Sequence, residues 1–165
     1  MTGQPPASIR PATVDDAAAI WAILKPVFRA GETYAIEAGI SRAQALAYWT
    51  AHRAFVAETR ADVVGTYYLR PNQPGGGAHV CNAGFATAPA AEGKGVARAM
   101  LTHSLAAARD AGYTAMQFNF VLACNTRAID TWERAGFSVI GRQPKAFVHP
   151  RLGHVDALIM HKSLE

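Results

Sequence analysis

A mixed α/β domain, one central sheet with helices on both faces, is the fold class this sequence predicts. Three observations carry that reading. An apolar segment from Ala78 to Thr87 is closed by Pro89 and followed by the glycine-bearing stretch Glu92-Gly93-Lys94-Gly95, after which Val96, Met100, Leu101, Leu105 and Ala108 fall at helical spacing. A second apolar segment, Ala115 to Leu122, leads in the same way into a helix from Asn125 to Ala135. Ahead of both, Ala54 to Glu58 and Val63 to Leu69 read as two antiparallel strands turned by Thr59-Arg60-Ala61-Asp62.

The remaining elements follow in order. Met1 to Ala7 reads as a disordered lead-in, and residues 8–165 as one domain with no internal boundary. Ser8-Ile9-Arg10 is a short first strand, and Thr13 or Asp15 can cap the helix that follows. Ile20, Ile23, Leu24, Val27 and Phe28 mark its apolar face, while Pro26 within that face is expected to kink it or end it early. Ala30 to Tyr34 breaks the pattern, and a second helix starts near Ser41 with Ala45, Leu46 and Trp49 on one side. Pro71 to Gly77 is a Gly/Pro-rich loop. Val139-Ile140 and Val155 to Met160 are the last two strands, with Pro144, Pro150 and Gly153 in the link between them.

Composition excludes more than it assigns. The chain has 165 residues, 50% of them hydrophobic, which suits a single domain with one good core. No apolar run is long enough to span a bilayer, and the N-terminus lacks the basic start and apolar block of a signal peptide, so the expected setting is cytoplasmic with no membrane partner. The net charge of +4 comes from scattered residues with no Lys/Arg run and carries no argument for nucleic acid. Cys81 and Cys124 read as small buried hydrophobes in a reducing compartment. The six histidines show no paired ligand spacing, and no metal site is expected.

The strand, glycine loop and helix start around Glu92 form the most informative segment. The first turn of a helix has N–H groups without intrahelical partners and carries the positive end of the helix dipole, so it receives phosphate readily, and glycines let the ligand approach the backbone. Two stronger phosphate signatures fail here. A Walker loop needs Ser or Thr after Gly-Lys, but Gly95 follows Lys94; a dinucleotide fingerprint needs a third glycine where Arg98 stands.

Asn82 and Asn119 each interrupt an otherwise apolar strand, and Asn is a poor strand residue. Buried amides need partners. With Asn125, three amides would cluster if the two strands are neighbours, which points to a polar acceptor pocket.

The segment Asn125-Thr126-Arg127-Ala128-Ile129-Asp130-Thr131-Trp132-Glu133-Arg134-Ala135-Gly136-Phe137 closely resembles the second cofactor motif of the GNAT superfamily of N-acetyltransferases: Asn, Ala three on, an aromatic seven on, and Gly-Phe four after that. Glu92 to Ala97 resembles the pyrophosphate loop of the same superfamily. The resemblance implies a mostly antiparallel central sheet splayed open where acetyl-CoA enters, with Gly93, Lys94, Gly95, Val96 and Ala97 at the pyrophosphate. It implies that the backbone of Phe85, Ala86 and Thr87 pairs with the pantetheine arm, and that Asn125, Ala128 and Trp132 border the cofactor. Two residues depart from the pattern. Glu92 stands where Gln or Arg is usual, and Trp132 stands where Tyr often protonates the departing thiolate, a role an indole N–H cannot fill.

Within the superfamily, Gln117 to Val121 with Asn82, Phe85, Asn125 and the tail His149 to Ala157 resemble the N-acetyltransferases that act on azetidine-2-carboxylate and other proline analogues. That implies substrate contact for Asn82 and Asn119, a pocket shaped by Phe85, and a role for Asn125 in polarising the thioester or positioning a water. Glu32 and Tyr34, in the loop bordering the acceptor site, are further substrate contacts, and His149 and His154 are bases by type only. The expected reaction is direct attack of a small amino-acid-like amine on acetyl-CoA, in a protein that is a homodimer as its relatives commonly are. The alternatives are another amine (a phosphinothricin-like amino acid, a polyamine or a protein N-terminus) or a non-catalytic acyl-CoA sensor.

Overall fold

The protein is described by a computed structural model, which covers residues 7–60 and 62–165; of the expected lead-in, Met1 to Pro6 lie outside the described residues. Among the described residues seven strands form one sheet: β1 (Ser8–Pro11), β2 (Arg53–Thr59), β3 (Asp62–Pro71), β4 (Val80–Thr87), β5 (Ala115–Leu122), β6 (Ser138–His149) and β7 (Gly153–Ser163), in the order β1-β2-β3-β4-β5-β7-β6. The α-helices of the described residues are α1 (Ala17–Ala30), α2 (Arg42–Thr50), α3 (Val96–Asp110) and α4 (Thr126–Arg134). This is the expected mixed, mostly antiparallel sheet, with β4 and β5 its one parallel pair.

That parallel pair positions the site. The chain leaves β4, crosses over through α3 and returns as β5, the connection a parallel pair requires. The two strands pair only at Val80–Ala115 and Cys81–Met116, and beyond Cys81 they part. One core fills the α3 side of the sheet, with Leu69, Met100, Met116 and Met160 fully buried. The other fills the α1–α2 side, around Ile20, Leu24, Phe28 and Trp49. Trp49 is held there by its indole N–H donating to Thr66 Oγ1 at 2.9 Å, which in turn donates to the Phe55 carbonyl.

Two prolines behave differently from expectation. Pro26 neither ends α1 nor lies on its buried face: it is exposed, and the helix continues to Ala30 before Gly31 closes it at φ 62°. The carbonyl that Pro26 leaves unpaired belongs to exposed Ala22, where water can serve it, while Ile23, Leu24 and Phe28 hold the helix to the sheet. Pro144 lies inside β6 rather than in the link to β7. The strand is an edge strand, and its register shifts between Gln143 and Phe147, so the missing N–H costs no ladder bond. Asp156 of β7 secures that irregularity by accepting from the Lys145 N–H at 2.9 Å and from Arg142 Nη1 at 2.7 Å.

Candidate active site

Where β4 and β5 part, a cleft of about 1520 Å³ opens between the sheet, the start of α3 and α4. Every predicted site residue except Glu32, His149 and His154 lines it.

The α3 end is built from backbone. Gly93 and Gly95 have φ of 74° and 81°, a region costly for residues with a Cβ, and the turn they make brings the chain into α3 at Val96. The Lys94 N–H bonds to the Ala91 carbonyl, and the first α3 bond runs from Ala99 to Gly95. Among the described residues the N–H groups of Gly93, Gly95, Val96, Ala97 and Arg98 have no partner. Arg127 of α4 reaches toward the same loop, its Nη2 standing 3.8 Å from where a Cβ on Gly93 would lie. Apart from Arg70 at the far end, the cleft lining carries Lys94, Arg98, Arg109, Arg127 and Arg134 against a single carboxylate, that of exposed Glu92. Unpaired amides, a helix dipole and this excess of cations fit a diphosphate.

The middle of the cleft is the free edge of β4. Bonds from Asn72 N–H to the Val80 carbonyl and from Ala88 N–H to the Val64 carbonyl fix the parity of the β3–β4 ladder. Even-numbered β4 residues therefore turn their polar backbone groups to β3, and Ala83, Phe85 and Thr87 turn theirs to the gap. Phe85 and Thr87 can thus pair with a strand-like arm, whereas the polar groups of Ala86 are engaged with β3. The Phe85 carbonyl already accepts the Tyr34 hydroxyl at 2.8 Å. Trp132 packs against the rings of Phe85 and Phe118 at 5.4 and 4.8 Å, as an apolar wall.

The three amides do not form one cluster. Asn82 is buried and satisfied: its Nδ2 donates to the Gln117 carbonyl at 3.0 Å, and its Oδ1 accepts the Tyr68 hydroxyl at 3.3 Å. It bridges the last point at which β4 and β5 are close. Asn119 is exposed, at the register shift of β5 against β7, and is bonded to Asn72 and Gln117. A bulge explains why a strand tolerates Asn there. Asn125 caps α4, its Oδ1 accepting from the Ala128 N–H at 3.2 Å, so what it offers the cleft is its Nδ2 donor.

Glu32 pairs instead with Arg151 in the β6–β7 turn, at 3.1 Å. His149 is buried and accepts from the N–H groups of Arg151 and Leu152; neither it nor His154 lines the cleft. Burial holds the hydroxyls of Tyr34 and Tyr68 well above the ordinary phenol range, so both remain protonated donors. Cys81 is buried, its thiol pushed up to about 12, and Cys124 is half-buried in the turn before α4; neither lines the cleft. Among the described residues no three His, Cys, Asp or Glu side chains converge as metal ligands, and no helix is long and apolar enough to cross a membrane.

Sequence reasoning missed Tyr48, Arg70, Asn72 and Arg127. Arg70 ends a strand beside Pro71, and Tyr48 is one of many aromatics; only the packing of α2 on β3 unites them.

Comparison with known proteins agrees with this geometry. A structure of a GCN5-related N-acetyltransferase from Kribbella flavida superposes with a TM-score of 0.92 and is 38% identical, covering 96% of this chain and 98% of that one. A phosphinothricin acetyltransferase from Sinorhizobium meliloti, solved in complex with acetyl-CoA, has a TM-score of 0.83 over 96% of this chain and 88% of its own; at 20% identity the likeness is one of fold. N-acetyltransferase aca1 of Schizosaccharomyces pombe is 35% identical over 101 residues, which are 61% of this chain and 48% of that protein, so the match spans about half of that relative. Residues 18–137 match the acetyltransferase (GNAT) family, and the chain belongs to that family of acetyl-CoA-dependent acyltransferases.

Proposed function

We propose that the protein transfers the acetyl group of acetyl-CoA to the amine of a small amino-acid-like substrate, of the proline-analogue kind, by direct attack. The observation that carries this is the shared cleft. Five unpartnered N–H groups from Gly93 to Arg98 open onto the same space as the free edge of β4 and the polar residues around Asn82. Acetyl-CoA, when bound, supplies an acetyl group already activated as a thioester.

The chain's own residues have distinct tasks. Gly93 to Ala97 hold the diphosphate, with Lys94 and Arg127 adding charge. Phe85 and Thr87 align the pantetheine arm, and Trp132, Phe85 and Ala128 wall it. The Nδ2 of Asn125 donates toward the thioester carbonyl. Asn82, Asn119 and Tyr34 shape the acceptor end, and Glu32, held by Arg151, takes no part in it. No histidine lines the cleft and its one carboxylate sits at the cofactor loop, which favours a water as acceptor of the amine proton. Neither cysteine lines it, which favours direct attack over a thiol-bound acetyl. With no tyrosine at position 132, the thiolate takes its proton from solvent. The homodimer expectation is supported by the edge strand β6, which exposes Val139, Ile140 and Val148. The expected cytoplasmic setting is part of the same proposal.

A thiol-release assay with acetyl-CoA tests the reading across azetidine-2-carboxylate, phosphinothricin, spermidine and a peptide with a free N-terminus. The expected result is turnover of azetidine-2-carboxylate above the others. Turnover of phosphinothricin first would favour the acceptor named for the Sinorhizobium neighbour. Tight acetyl-CoA binding with a silent panel would identify a sensor.

A further inference from the structure

The sheet face beneath α1 and α2 carries a charged group that the cofactor does not use. The Arg70 guanidinium lies over the rings of Tyr48 and Tyr68, 4.9 and 4.5 Å from their centroids, and its Nη2 donates to both hydroxyls at 3.0 and 3.3 Å. The Tyr68 hydroxyl donates onward to Asn82, which stands opposite Arg70 in the β3–β4 register. Gly84 makes the room: a Cβ there would lie 2.5 Å from the Tyr68 ring.

Charge balance makes this group informative. Among the described residues Arg10, Arg142 and Arg151 pair with carboxylates, but Arg70 has none, and its Nε and Nη1 have no hydrogen-bond partner. It is nevertheless half-buried and lines the cleft. A guanidinium whose carbon lies 4.9 and 4.5 Å from two ring centroids, with one nitrogen satisfied by phenols, still has donors to offer. The free Nη1 can give a carboxylate oxygen a charge-assisted hydrogen bond, with the guanidinium charge attracting the rest of the anion. A polyamine, being cationic, is repelled there.

We propose that Arg70, steadied by Tyr48 and Tyr68, anchors a free carboxylate on the acceptor, and that this selects amino acids over polyamines and protein N-termini. The proposal rests on the acetyl-transfer reading and adds the group that the substrate must carry.

The test compares amino acids with their carboxamides, azetidine-2-carboxylate and proline each against the amide, in wild type, Arg70→Met and Arg70→Lys. Wild type is expected to favour the acids. Arg70→Met is expected to lose roughly 30-fold or more in kcat/KM on the acids, chiefly through KM, and several-fold less on the amides. Arg70→Lys should recover part of the loss, and the KM for acetyl-CoA should stay put. Equal losses on acid and amide, or a wild type indifferent to the carboxylate, would overturn the proposal. If Arg70→Met unfolds, as thermal denaturation would reveal, Arg70→Lys decides alone. Should no amine be turned over, the transferase reading fails by itself. Calorimetric titration of azetidine-2-carboxylate into the CoA-loaded protein then decides the anchor: uptake lost in Arg70→Met upholds it, and no uptake by wild type refutes it.

Discussion

At the α3 end of the cleft the polar groups left unpaired are main-chain N–H groups, from Gly93 to Arg98, whereas at the α1–α2 end the polar groups are side chains: Tyr34, Tyr48, Tyr68, Arg70 and Asn82. The first set needs only that a helix begin there after two residues with positive φ. Its polar groups belong to the backbone, so they do not depend on the side chain of Glu92 beside them. The second set draws on the α1–α2 loop, α2, β3 and β4. It depends on strand register, on ring packing and on one missing Cβ. A cofactor common to a family suits the first design. An acceptor that differs between relatives suits the second.

Three substitutions can break or sharpen that contrast. The largest effect is expected from Gly84→Ala. The new methyl group falls 2.5 Å from the Tyr68 ring, and displacing that ring should cost about 2–3 kcal/mol as overpacking. Acceptor KM should rise with the displaced Tyr68 and Arg70, while calorimetry should find acetyl-CoA affinity nearly unchanged. Equal damage to both ligands would mean that the two ends are not separable.

Gly95→Val attacks the other end. A β-branched residue at φ 81° costs about 1–2 kcal/mol, so the loop should open and acetyl-CoA affinity fall about tenfold. Acceptor KM at saturating acetyl-CoA should hold.

The smallest effect concerns the frame under the acceptor end. Asp16, at the start of α1, accepts from both terminal nitrogens of Arg10, at 2.7 and 2.8 Å, and from the Thr13 N–H. Its carboxyl is thereby lowered to about 2 from an ordinary 3.8. A lowered value means that the contribution is complete above the unfolded-chain value and is lost as pH falls through about 2. Asp16→Asn should cost under about 1 kcal/mol near neutrality, because Arg10 is half-exposed and keeps Glu58. Hydrogen exchange should quicken in α1 and not in α3, and the difference from wild type should vanish at acid pH.

The same contrast explains which features are legible in the amino-acid sequence. The turn into α3, the helix after Asn125 and the hairpin of β2 and β3 are local, each set by a few consecutive residues, and all of them can be read from the chain. Pro26 misleads because a proline penalty weighs little where the freed carbonyl meets water. Pro144 misleads because it falls where the pairing of an edge strand is already interrupted, so no ladder bond misses its N–H. The amides mislead in a different way. An Asn inside an apolar strand signals a polar partner but does not say which one. Asn82 finds the Gln117 carbonyl, and Asn119 lies exposed at a bulge.

Sequence alone determined the alternation of strands and helices, the glycine turn at Gly93 to Ala97 that opens α3 and the family to which the chain belongs, because each rests on neighbours along the backbone. Tertiary structure alone decided that β4 and β5 part after Cys81, that Glu32 faces Arg151, and that Arg70 lies over the rings of Tyr48 and Tyr68 with no carboxylate of its own. Those contacts join residues far apart in the chain. Their geometry follows from how whole elements pack, which no local pattern encodes.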